Sequence, residues 1–406
     1  MIIRNKKISL SSFQVLVFFG CKIIAGAVYG YLFKQYYHGD DTWALHQDGL
    51  LQYQRLLHTP AAFFADFLNE SPVLGNNFNF QPASYLENLE YAIITKTLAF
   101  FNLVSRGNYY LNVVFFNFLT FWGVYFLYKL LATQFDPAHR RLAAAVLFLF
   151  PPSMFWLSGI RAEGLLLLYT AVLLYQFYKW LGNKKIISLI TCIICFTMAM
   201  VLRNGFALAL VPPLMAWAVV VFFKMRPAKV FAGTFVICLV AVCGSGLLQP
   251  RYNILSVIAA RQHDFLLLKG NTRFHLTALE PQPLSFVRVL PEALVNTFVR
   301  PFIWEARGLL QWFAAVETLA ILVLVTVTVL MYRKYKKVNA DTTLVWVLVM
   351  ACLYNYIIVG YIVPFPGAIV RYKIIPELLL IGACIIAVPP GLYLRSAQSI
   401  TASRQI

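Results

Sequence analysis

Long apolar runs separated by short polar stretches organise the chain from end to end. A helix needs about 20 predominantly apolar residues to cross the hydrocarbon core of a bilayer. Runs of that kind predict ten membrane helices, over 8–32, 109–131, 142–158, 164–180, 186–202, 205–223, 230–248, 315–332, 343–362 and 372–394. One further segment, 86–104 (LENLEYAIITKTLAFFNLV), is apolar but short, and it carries Glu87, Glu90 and Lys96. The only long polar interruptions are 33–90 and 249–314. The pattern predicts an all-α polytopic membrane protein, with 1–406 as a single integral membrane domain.

Lys and Arg decide the orientation, because cytoplasmic loops are enriched in both. If 86–104 does not cross, eighteen of the 34 Lys and Arg fall in short segments on one side: Arg4 to Lys7, Lys129 with Arg140 and Arg141, Lys179 to Lys185, Lys224 to Lys229, Arg333 to Lys337, and Arg395 with Arg404. Only Asp136 and Asp341 oppose them there. If 86–104 did cross, the pattern would invert from that point onward. The segment is therefore predicted as an interfacial or re-entrant helix on the outer face. Both termini are expected to be cytoplasmic, and two long outer loops span 33–108 and 249–314. The N-terminal Arg4, Lys6 and Lys7 resemble the start of a signal peptide, but the apolar run after them is too long for one and reads as an uncleaved first span.

Composition agrees with this class. The chain is 60% hydrophobic and 12% charged, with a mean hydropathy of +0.71, about half the charge fraction of a soluble domain. A net charge of +18 raises the question of nucleic acid. The basic residues sit in short clusters between apolar runs, as topology requires, so a nucleic-acid partner is not expected. All seven cysteines lie inside apolar runs, which implies no disulfide framework.

The predicted orientation gathers unusual stretches on the outer side. His38-Gly39-Asp40-Asp41 follows the first span. The turn PPSMFWLSGIRAEG carries Arg161 and Glu163, and LRNG carries Arg203. FVRPFIWEARG carries Arg300, Glu305 and Arg307, and PFPGAIVRYK carries Arg371 and Lys373. Each basic side chain at the edge of the apolar zone could simply snorkel to the interface. Arg at successive outer turns, opposite a carboxylate pair, also suits an anion site, since the guanidinium fork donates paired hydrogen bonds to phosphate. The helical periodicity within 249–314 predicts short helices lying on the outer leaflet.

Two adjacent carboxylates support two chemistries. One can take the proton of an attacking hydroxyl. The pair can instead hold a divalent metal that bridges phosphate oxygens. A helix cap at the start of DDTW is the plain structural alternative, and Asp48 reads as helix surface. No cluster has metal-ligand spacing, so no metal site and no cofactor is predicted beyond that option at Asp40 and Asp41.

The layout resembles the GT-C superfamily of membrane glycosyltransferases, which draw sugars from polyprenyl- or dolichyl-phosphate carriers. The resemblance rests on His38-Gly39-Asp40-Asp41, similar in place and pattern to the family's His-x-Asp acidic motif early in the first outer loop. It also rests on the amphipathic 86–104 and on SGIRAEG and GAIVRYK. It covers the architecture of the whole chain, but its motifs are short, and the chain has no counterpart to the soluble C-terminal domain of many members. The resemblance implies an inverting transfer of sugar from a polyprenyl-phosphate donor to a glycan, lipid or protein acceptor. It places the site on the periplasmic side of a bacterial inner membrane. Asp40 would be the base, with Asp41 or His38 positioning it, and Arg161, Arg203, Arg371 and Lys373 would hold the donor phosphate. Glu163, Arg300, Glu305 and Arg307 are further candidates. Three rivals remain: a polysaccharide polymerase or ligase, which would use the 249–314 loop, a lipid or polysaccharide transporter, and a non-catalytic assembly subunit, which leaves the outer Arg set without a use. Against the transporter, the conspicuous charges fall at span ends and no repeat is evident.

Overall fold

The computed structural model describes residues 10–37, 41–65, 85–135, 137–247, 253–268, 273–335 and 342–388. Those residues form α-helices and short 3₁₀ turns, with no strand among them. Seven helices are long and apolar enough to cross a membrane. The chain thus has the make-up of a helical integral membrane protein. Contacts divide it into two compact units, one of 1–133 with 144–207 and the other of 134–143 with 208–406.

In the first unit α1 (Ser12–Gln35) begins at a capping box. The Ser11 hydroxyl accepts from the Gln14 N–H, and the Gln14 side chain accepts from the Ser11 N–H. Next come α2 (Asp41–His58), α3 (Pro60–Ala65), α4 (Tyr85–Ser105) and α5 (Tyr109–Ala132). The segment expected to lie at the interface is thus a helix, α4. It packs on α2 and α5 and is not among the seven candidate spans.

The expected span 142–158 is two pieces, α6 (Pro137–Leu149) and α7 (Pro151–Trp156). Phe150 between them is extended (ψ 112°), as a following proline favours. Then come α8 (Ala162–Asn183) and α9 (Ile186–Phe223), whose 38 residues include one non-helical position, Arg203. Straight, α9 would measure about 57 Å, nearly twice the apolar thickness of a bilayer.

The second unit holds the rest of α9 together with α10 (Pro227–Gly244), α11 (Ile254–Leu267), α12 (Pro283–Phe298), α13 (Leu309–Tyr335), α14 (Thr342–Ile362) and α15 (Pro366–Ala387). The helices expected within 249–314 are α11 and α12. Both pack along α14 around Leu255, Phe286, Val289, Ala293 and Tyr361. Phe286 lies against Tyr361 and Phe298 against Tyr356, so α12 runs antiparallel to α14. The seven spans do not establish the expected ten. The difference lies in α6 with α7, in the two arms of α9, and in α15, which carries Arg371, Lys373 and Glu377. Both chain termini lie outside the described residues.

Glycines set the closest approaches in the first unit. A Cβ on Gly26 of α1 would stand 2.6 Å from the Ser158 carbonyl oxygen, and one on Gly123 of α5 would stand 2.8 Å from the Leu168 backbone nitrogen in α8. Small residues that bring backbones together are the usual basis of helix association in membranes. Gly123→Val should therefore force α5 and α8 apart, costing about 1–3 kcal/mol and lowering the melting temperature in detergent. Gly20→Ala, where an added Cβ meets nothing within 4 Å, should melt like the wild type.

Candidate functional site

The site grows from a short non-helical stretch between α7 and α8. Residues 157–162 are buried, and 158–161 lie outside both helices. In an apolar bundle their backbone groups need other partners. Lys22, buried in the middle of α1, donates from Nζ to the Leu157 carbonyl (2.7 Å) and to Ser158 Oγ (3.2 Å). Asn117 of α5 donates to the Ser158 carbonyl at 2.8 Å. Gly159 lets the Tyr29 ring pack against the stretch, with its Cε1 only 2.7 Å from where a Cβ would be.

This support presents Arg161, the N-cap residue of α8. Its guanidinium is almost fully buried yet holds three groups. It donates to the Tyr29 hydroxyl (3.1 Å), pairs with the Asp41 carboxylate, and lies 3.6 Å from Glu163 Oε2. Glu163 sits in the first turn of α8, where the helix dipole favours a carboxylate. Its other oxygen lies 3.5 Å from Nη2 of Arg203, the residue at which α9 leaves helical geometry. The result is an alternating chain: Asp41, Arg161, Glu163, Arg203. Its inner members are buried (side chains 7% and 5% exposed), while its ends reach solvent, Asp41 at 55% and Arg203 at 27%.

The start of α2 is clipped into place beside Asp41. Trp43 Nε1 donates to the Gly30 carbonyl (2.9 Å), its ring stacks on Tyr109, and the Lys34 ammonium sits 4.6 Å from the ring centroid. Thr42 and Tyr109 share a hydrogen bond of 2.9 Å. Behind them His46, Asn102, Ser105 and Asn112 form a buried polar network joining α2, α4 and α5. Asp48, expected to be plain surface, accepts a hydrogen bond from Tyr91 of α4. Burial, and then the Asp48 carboxylate, push the Tyr91 phenol above its ordinary range.

The expected site residues fall out as follows. His38 and Asp40 lie outside the described residues. Asp41, Arg161, Glu163 and Arg203 come together. Arg161 faces carboxylates and a phenol. Arg300 pairs with Glu305 (3.2 Å), donates to the Asn296 side-chain oxygen (2.9 Å) and lies over the Phe274 ring, whereas Arg307 is exposed. Lys373 is 1% exposed, pairs with Glu377 at 3.1 Å and donates to Thr318 Oγ1 at 2.8 Å. It is enclosed among helices instead of lying at a turn. Arg371 is half-buried. Among the described residues no group of three His, Cys, Asp or Glu side chains could hold a metal ion.

Sequence reasoning missed Glu317 and Glu377, which meet Lys373 inside the second unit. Two signals for them existed. Glu317 stands inside an apolar run, and Lys373 and Glu377 are four residues apart on one helix. No protein-family model, curated protein or solved structure matches the chain.

Two measurements test this geometry. Lys22→Met leaves the Leu157 carbonyl without its donor and should destabilise the first unit by about 1–3 kcal/mol. A variant that melts with the wild type would show that the clamp holds nothing. His46 is held below its ordinary 6.5, chiefly by burial and then by the Lys34 charge, with a hydrogen bond to the Gly107 backbone opposing. The unfolded chain therefore takes up this proton first as pH falls. The stability contribution is full above 6.5 and is lost as pH drops through the lower folded value. Melting curves across that range should show wild type losing its advantage over His46→Gln on acidification.

Proposed function

We propose that the chain is a membrane glycosyltransferase that moves a sugar from a polyprenyl-phosphate donor to an acceptor hydroxyl. In this reading the site faces the periplasm of a bacterial inner membrane. The observation that carries the proposal is the Asp41–Arg161–Glu163–Arg203 chain. It joins a half-exposed carboxylate in the first polar loop to a partly exposed guanidinium, through a buried pair that fixes both. A carboxylate and a cation held in one frame suit an inverting displacement. Asp40 takes the acceptor proton, the acceptor oxygen attacks the anomeric carbon, and the bond from that carbon to the phosphate oxygen breaks. The lipid phosphate leaves with the electron pair, and Arg203 stabilises its charge. Arg161 keeps Asp41, and through the chain the acidic motif, in register. Arg371, in the other unit, carries the same phosphate-binding expectation from the sequence. His38 is assigned to orienting the acceptor.

One observation favours a second reading, a transporter. The sequence places the conspicuous charges at span ends, but Glu317, Lys373 and Glu377 are buried between helices well inside the second unit. Ionisable groups so placed often line ion or substrate paths.

The test uses purified protein in nanodiscs, a panel of polyprenyl-phosphate sugars, and EDTA in parallel. Wild type should turn over one donor. Asp40→Asn should lower that rate by about 100- to 10,000-fold, and Arg203→Ala by about 100- to 1,000-fold. Loss of turnover with EDTA would move the aspartate pair to metal binding. Turnover that survives Asp40→Asn would remove the assigned base, and no turnover of any donor would favour the transporter.

A further inference from the structure

We propose that Glu317, Lys373 and Glu377 form a binding site for one monovalent cation, a proton or a sodium ion, among the helices of the second unit. The inference stands on that unit alone and does not depend on glycosyl transfer.

Depth is the first argument. Lys373 and Glu377 lie seven and eleven residues into α15, about 10 and 16 Å along its axis. Glu317 and Thr318 lie eight and nine residues into α13, about 12 to 14 Å along it. Tyr356 lies six residues before the end of α14, about 9 Å. These groups meet well inside the helices. Lys373 and Glu377 are each 1% exposed and Glu317 is 8% exposed.

Charge is the second. Lys373 gives one positive charge, and Glu377 Oε1 takes it at 3.1 Å. Glu317 lies close enough for the Glu377 charge to act on its carboxyl. Two carboxylates and one ammonium leave one negative charge uncompensated in an apolar surrounding. Such a charge costs several kcal/mol unless it is paired, so the cluster is completed by one further positive charge.

The third argument is the free valence. Glu317 Oε1 and Glu377 Oε2 are buried oxygens with no hydrogen-bond donor. They belong to the two carboxyls that face each other. The remaining groups around them are Thr318 on α13, Tyr356 and Cys352 on α14, and Cys384 on α15, beside Cys352. None of these brings a second positive charge. The donor set on offer is hard oxygen, which suits a proton or sodium. A divalent ion would leave an excess positive charge.

The test uses the full chain in nanodiscs. Melting is followed while sodium replaces N-methylglucamine at constant ionic strength, and infrared difference spectra are taken between mildly basic and mildly acidic buffers. If sodium is the ligand, the melting temperature rises with the logarithm of sodium concentration, and Glu317→Gln and Glu377→Gln each abolish the rise. If the proton is the ligand, melting ignores sodium, and the wild type shows the carbonyl band of a buried carboxylic acid that Glu317→Gln removes. Should Glu317→Gln fail to fold, Glu317→Asp keeps the charge but retracts it, and should weaken the sodium effect or shift the band. A wild type with neither a sodium-dependent melting temperature nor a buried carboxylic acid band overturns the proposal.

Discussion

One guanidinium holds the first unit's site together. Arg161 is buried at the mouth of α8 and reaches α1 through Tyr29, α2 through Asp41 and its own helix through Glu163. A buried Arg is tolerated only when its donors are matched, and each match here comes from a different part of the chain. The rest of the site follows from meeting that demand. Glu163 balances Arg161 and passes the next negative valence to Arg203. Asp41 is held at the start of α2, and α2 is in turn pinned to α1 and α5 by Trp43 and Thr42.

The two units handle buried charge differently. In the first, the charges alternate and the chain runs from the interior to solvent, so its end members can exchange a partner for a ligand without leaving a naked charge inside. In the second, the Lys373 cluster is enclosed at 1% exposure and does not reach solvent through its own members. The first arrangement exposes its end charges, and the second keeps its charges away from the surface.

Much of this was legible in the sequence, because a bilayer imposes a coarse rule. Apolar runs of the right length mark helices, so α1, α5, α8, α10, α13 and α14 were all visible, and Glu87, Glu90 and Lys96 set α4 apart from them. Arg161, Glu163 and Arg203 stood out as charges beside apolar runs, and they do meet. What the sequence hid is what depends on two distant segments touching. Asp48 looked like surface because Tyr91 is 43 residues away. Glu317 went unread within the apolar run of α13 because its partners are on α15. The close approach at Gly123 is invisible until α8 is laid against α5. The break between α6 and α7, just before Pro151, does not show in the continuous hydropathy across 142–158.

The Lys22 clamp bears on how the protein is made. The carbonyl that accepts from Lys22, that of Leu157, is synthesised 135 residues after it. During that interval the first span carries a cation in an apolar stretch without its final partner. The contact that satisfies it is a long-range one, and such contacts form only after a long stretch of chain has closed. A single lysine in α1 thereby makes the packing of that helix depend on the loop that presents Arg161.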